Sequence, residues 1–246
     1  MCALVTLKHP QRLIGVLAVL ALAGCGLPTS RIDAEDNRVF IPSMRTAFNL
    51  SEGREAPSEP QTGHAVEFGY VKARGGDSQF LAAGQAPVVI GGQTFSAPQQ
   101  LRNQFDFSFA DVSWRWRKFF DGRALGLEVL AGLGNARLDL AVSSTAQQAS
   151  ESFSTQGPQA GAGLLWRLQP GTSLQARVSG FVSASGRGVN EAVRSELSLA
   201  QVLHENLGVR VGFSSWEVKG QGQDGISDFR LRFSGPSLML EMNFRP

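Results

Sequence analysis

From residue 64 to the end of the chain, apolar and polar residues alternate with a period of two. In "HAVEFGYVKA", Val66, Phe68 and Tyr70 fall on one side and Glu67 and Gly69 on the other. The alternation returns in "LRNQFDFSFADVSWRW", "ALGLEVLAGLGNA", "QAGAGLLWRL", "TSLQARVSGFV", "AVRSELSLAQVL", "NLGVRVGFSSW" and "RLRFSGPSLMLEMNF". These are eight candidate strands, each about the 9–11 residues that a tilted membrane-crossing strand needs, or slightly more. No amphipathic segment of helical period competes with them. The links between strands alternate between long and short. Residues 75–100, 139–156, "SGRGVN" and "GQGQDGISD" make one set, and "FFDGR", "QPG" and "HEN" make the other. Short turns at one end and longer loops at the other are expected of an up-and-down barrel. An even strand number then places both chain ends at the short-turn end.

The two faces differ in chemistry. Leu125, Leu127, Val129, Ala131 and Leu133 oppose Gly126, Glu128 and Gly132; Leu207, Val209, Val211 and Phe213 oppose Gly208, Arg210 and Gly212. A soluble carrier barrel is apolar inside and polar outside, and a transmembrane barrel is the reverse. Arginine dominates over lysine on the polar face, where small neighbours leave room for long side chains. The expected arrangement is therefore a barrel lumen filled by an ion network. Its members are Glu67, Asp106, Arg115, Arg117, Glu128, Arg167, Arg177, Arg194, Glu196, Arg210, Arg230, Arg232 and Glu241. An eight-stranded barrel so filled leaves no open channel. Trp114, Trp116, Trp166 and Phe244 are expected near the short-turn end and Phe105, Trp216 and Phe233 near the other rim, as two interfacial girdles. The apolar phase slips at Ala110-Asp111 and again at Gly235-Pro236, where β-bulges are predicted.

The first residues change the picture. Lys8 and Arg12 precede the apolar run "LIGVLAVLALA", which is too short to span a bilayer as a helix. Leu22-Ala23-Gly24-Cys25 matches the lipobox of bacterial lipoproteins. The division expected is a lipoprotein signal peptide at 1–24, a lipidated periplasmic tether at 25–63, and an outer-membrane barrel at 64–246. The tether contains the Pro- and Glu-rich "EAPSEPQTG". Preceding it, "RVFIPSMRTAFNL" has enough apolar residues to dock somewhere, and a short docking strand or helix and disorder are equally open readings of it. Cys25 would carry a diacylglycerol thioether and an acyl chain, which together make a stable anchor.

Composition removes other classes. The chain has 23 Lys and Arg; without the two of the leader, 21 remain against 21 acidic residues. That balance provides no basic patch for nucleic acid. Cys2 leaves with the leader and Cys25 is acylated, so no disulfide is expected. Histidines at 9, 64 and 204 cannot build a multi-histidine metal centre, so no metal and no cofactor other than the covalent lipid is expected. No nucleophile stands beside a base, and no catalytic residue is predicted.

The segments "GPSLMLEMNF", "AGLGNARLDL" and "GAGLLWRLQPGTSLQARV" resemble the small outer-membrane β-barrel family of the OmpA/OmpX type. The resemblance covers about 64–246. It implies an all-β fold, an eight-stranded antiparallel up-and-down transmembrane β-barrel, here with an N-terminal lipidated tether. It also implies a C-terminal signal, Leu238, Leu240, Met242 and Phe244, read by the barrel-assembly machinery. Lipoprotein-processing enzymes and outer-membrane lipid are the other partners, and loops 75–100, 139–156 and 220–229 could meet an extracellular ligand. The expected role is non-enzymatic, structural or interactive, in the outer membrane of a Gram-negative bacterium, anchored from the periplasmic side. Two alternatives stand beside it. One is a periplasm-facing lipoprotein whose soluble lipocalin-like barrel binds an apolar ligand. The other is a lipid-modifying enzyme of the outer membrane.

Overall fold

A computed structural model describes residues 31–50, 63–120, 124–184, 188–204, 206–221 and 227–244. The leader, Cys25 and linker residues 51–62 lie outside the described residues. The strands are β1 (Arg31–Arg38), β2 (Ile41–Asn49), β3 (Gly63–Leu81), β4 (Val88–Ile90), β5 (Gln93–Phe95), β6 (Gln99–Phe119), β7 (Leu125–Ser143), β8 (Gln148–Gln169), β9 (Thr172–Val182), β10 (Gly188–His204), β11 (Leu207–Gln221) and β12 (Asp228–Phe244). The described residues contain no helix.

All eight alternating segments are strands: β3, β6, β7, β8, β9, β10, β11 and β12. Consecutive members pair antiparallel, with β3 passing directly to β6. The ring does not close on eight. β2 pairs antiparallel with β3 and parallel with β12, and β1 lies beyond β2 along the same edge, pairing parallel with β12 from Asp228 to Ser234. The Val39 amide, at the junction of β1 and β2, donates to the Ser234 carbonyl at 2.9 Å. Ten strands thus make a ring of nine positions with one parallel seam, and 31–49 is part of the sheet rather than of a tether. An odd number of alternating strands closes only through one parallel pair. Gly235 permits that seam: a Cβ on it would stand 1.8 Å from the Val39 carbonyl oxygen.

The short connections at 120–124, 170–171 and 205–206 mark one end of the ring, called here the turn end. Among them Gly171 takes φ +76°, the left-handed conformation that glycine adopts without a Cβ penalty. The opposite end carries the β4–β5 hairpin and is called the hairpin end. There the connection 82–98 is a folded cap: Val88, Ile90 and Phe95 are fully buried in the ring's core. Ser227 donates its amide to the Val89 carbonyl, and the Val89 amide donates to Ser227 Oγ, both at 2.9 Å. The long loop expected at 139–156 shrinks to 144–147, because β7 and β8 run on for 19 and 22 residues.

Pairing is continuous through both expected bulges. β3 and β6 keep register from Gly63↔Arg117 to Leu81↔Gln99, and β11 and β12 keep it from Leu207↔Met242 to Gly220↔Phe229. What changes at Ala110-Asp111 and Gly235-Pro236 is the chemistry of the faces. On β6, Phe105, Phe107, Phe109, Ser113, Arg115 and Arg117 all point inward; on β12, Phe229, Leu231, Phe233, Ser237, Met239 and Glu241 do. Toward the hairpin end the interior is apolar and the exterior polar. Toward the turn end the interior is charged and the exterior apolar. Register shifts do occur elsewhere, between Ala34 and Asn37, Arg167 and Gln169, Val189 and Glu191, and Val202 and His204.

Candidate functional site

The charged interior is built by alternate residues of the strands around the turn end. Glu67 of β3 stands at its centre. Arg45 Nε and Arg115 Nη1 each approach a Glu67 carboxylate oxygen at 2.7 Å, and Arg177 Nη1 donates to Oε1 at 2.9 Å. Glu128 of β7 takes Arg177 Nη2 at 2.5 Å, Gln175 Nε2 at 2.8 Å and a hydrogen bond from Arg117. Arg210 donates to Glu241, with Arg115 Nη1 at 3.8 Å from the same carboxylate, and Arg194 donates to Glu196. Beside them Gln159 Nε2 donates to Asp111 Oδ2 at 2.8 Å and to Ser113 Oγ at 2.6 Å.

The network's arginines and glutamates are buried. Isolated charges in such a place cost many kcal/mol, so the pairing is what makes their burial tolerable. Glycine on the inward face makes the space: a Cβ at Gly69 would lie 2.3 Å from Asp111 Oδ1.

Among the residues expected in this network, Glu67, Arg115, Arg117, Glu128, Arg177, Arg194, Glu196, Arg210 and Glu241 are brought together here. Arg167 stands at the turn end, its guanidinium 4.8 Å from the Phe119 ring centroid. Asp106, Arg230 and Arg232 stand on the outside. Asp106 pairs with Arg74 at 2.6 Å and Lys72 at 3.5 Å; Glu217 takes Arg230 at 2.6 Å and Arg232 at 3.4 Å. A rule that gives each strand one polar face along its whole length places these three inward, and the change of faces along the strands overturns it. Arg45 escapes sequence reading, although Met44 and Phe48 frame its alternation, because its segment precedes a Pro- and Glu-rich linker. Gln159 and Gln175 escape it as well: Gln175 stands two residues from Arg177 on the same face, but both are uncharged, so neither is marked as a member of an ion network. Asp111 is hidden by the phase slip at Ala110-Asp111.

Above the ions, toward the hairpin end, lies a stack of aromatic rings. Phe105, Phe107, Trp216 and Phe233 sit with centroids 5.2–6.2 Å apart, and Phe109 packs on Phe181 and Trp216 at 5.5 Å. Phe105, Trp216 and Phe233 therefore form core and not an interfacial girdle. Arg194 joins the two layers, its guanidinium 5.4 Å from the Trp216 centroid.

The outer surface around the charged layer is a belt of exposed apolar side chains to which every position of the ring contributes. Examples are Met44, Phe68, Trp114, Leu127, Leu164, Val178, Leu197, Phe213 and Leu240 in order around the ring. Trp166 is 51% exposed and Leu133 62%, values that residues of this type seldom reach over so large a surface in water. Leu238 and Leu240 of the expected assembly signal belong to the belt and Met242 is half-buried; the side chain of Phe244 lies outside the described residues. His64 and His204 are exposed at the turn end, His64 stacked on Trp114 at 5.4 Å. No group of three or more His, Cys, Asp and Glu among the described residues could hold a metal ion. Comparison with protein-family models, curated proteins and solved structures gives no match.

Proposed function

We propose that this protein is an integral outer-membrane barrel of a Gram-negative envelope, anchored a second time by lipid on Cys25, with a structural or surface-interaction role. The belt carries the reading. Apolar side chains are concentrated around the ring where the interior is charged, and polar ones prevail outside where the interior becomes apolar, with Phe80 an exposed exception. A wall between lipid and an ion-packed lumen has the first arrangement, and a water-exposed extension with its own hydrophobic core has the second. Buried area at about 25 cal/mol per Å² makes leaving such a belt in water costly by tens of kcal/mol. The same belt weighs against a soluble carrier of an apolar ligand, which requires its greasy face inside. The aromatic core and ion network together occupy the ring's axis, so the reading assigns no pore. The partner surface it offers is the polar extension and its hairpin cap, which stand clear of the belt.

The reading is tested by replacing the lipoprotein signal with an ordinary cleavable one, together with Cys25→Ala, and washing outer membranes with alkaline carbonate or urea. The unlipidated protein is expected to stay in the membrane and to change its gel mobility on heating. Release as a folded β-protein would leave the lipid as the sole attachment and restore the soluble reading.

A further inference from the structure

β1 and β2 run parallel to β12, so the chain enters the ring at one end and leaves it at the other. Arg31 pairs with Asp228 at the hairpin end, and the last pair of the seam, Phe48↔Phe244, lies at the turn end. An even strand count would bring both chain ends to the short-turn side, and the ninth position removes that expectation. We infer that a lipid on Cys25 is held in the membrane leaflet at the hairpin end, the opposite leaflet from the one beside Phe244. This rests on the membrane-barrel and lipobox readings given above.

Chain reach decides the leaflet. Six residue steps lead from Cys25 to Arg31, and they span at most about 20 Å in any conformation. Phe40, exposed at the upper edge of the belt, follows Arg31 by nine residues. Arg31 pairs with Asp228, and the register shift between Ala34 and Asn37 leaves about eight strand steps of β12 between that pair and the level of Phe40. At about 3.3 Å per residue and a tilt near 40°, Arg31 stands roughly 20 Å above that edge. The tether thus has about the length needed to return to the near leaflet. The far leaflet lies beyond a further apolar band about 25 Å tall, which the tether cannot cross. Nor is a path through the ring open, since Phe107, Phe233, Arg115 and Glu67 are all buried across it. An acylated N-terminus on the loop side would pin the polar extension to the surface of the membrane that it projects from.

The test uses the full-length chain in outer membranes of intact cells, with three single substitutions: Ser30→Cys, Ala146→Cys and Gln61→Cys. Each is exposed separately to a maleimide too large to cross the membrane, before and after lysis, and the parent chain serves as control for the Cys25 thiol. Folding of every variant is checked by heat-dependent gel mobility. Ser30→Cys and Ala146→Cys are expected to behave alike, both labelled in intact cells, with Gln61→Cys labelled only after lysis. If Ala146→Cys is labelled in intact cells and Ser30→Cys is not, the inference is wrong while the membrane reading stands. If all three require lysis, or the variants wash from the membrane, the membrane reading fails and the inference falls with it. Labelling of the parent chain would show a free Cys25 thiol and remove the lipid from both.

Discussion

Glu128 meets Arg117, Arg177 and Gln175 away from the surface, so its charge is needed by its neighbours more than by itself. Removing one partner of a buried ion pair leaves the others uncompensated, at a cost of about 3–5 kcal/mol. Glu128→Gln is accordingly expected to lower stability by that order in urea unfolding of the refolded protein in lipid vesicles. Asp106→Asn, which breaks the exterior contacts to Arg74 and Lys72, is expected to change it by about 1 kcal/mol or less. Equal effects would mean that the two carboxylates occupy similar surroundings, contrary to the positions described. At this scale the sequence is informative wherever the pleat alone decides: Glu67, Arg177 and Arg210 alternate with apolar neighbours and are buried. It misleads at Asp106, Arg230 and Arg232, where the alternation holds but polarity no longer says which side faces inward.

On β6 and β12 one strand serves two surroundings. Phe109 and Arg115 both point inward, four positions before and two after Ser113, along an unbroken register. An exchange of interior and exterior chemistry, and not an extra residue, produces the phase slip that looks like a bulge. The strands outrun their sequence signal for the same reason. The apolar outer face ends near Leu133 on β7, but Leu138, Leu140 and Val142 continue the strand with the opposite chemistry buried. Two substitutions separate the halves. Phe107→Ala empties space in the aromatic core and is expected to cost about 3–5 kcal/mol in unfolding while leaving membrane insertion intact. Leu164→Arg places a charge on the belt and is expected to cost about 2–4 kcal/mol, measured as refolding into vesicles. At the seam, Gly235→Val drives a side chain into the Val39 carbonyl and is expected to detach β1 from β12, read as protease sensitivity near Arg31.

The whole molecule is a nine-position ring whose closing strand the alternation does not announce, because 31–49 mixes charged residues among its apolar ones and stands before a linker. Eight strands are legible because each carries its own period of two. The ninth is not, since its place depends on partners nearly two hundred residues away, as in Met44↔Leu240. With ions across one half and aromatic rings across the other, no conductance above the bare bilayer is expected in planar-membrane recordings; stable single-channel steps would contradict the packed interior. The central claim is that the belt faces lipid and the aromatic core does not. Fluorescence quenching of single-tryptophan variants refolded into vesicles of lipids brominated along their acyl chains tests it most directly. Trp166, exposed in the belt, is expected to be strongly quenched and Trp216, buried at 3% exposure, to be unaffected. Equal quenching of the two, or none at Trp166, would contradict the account.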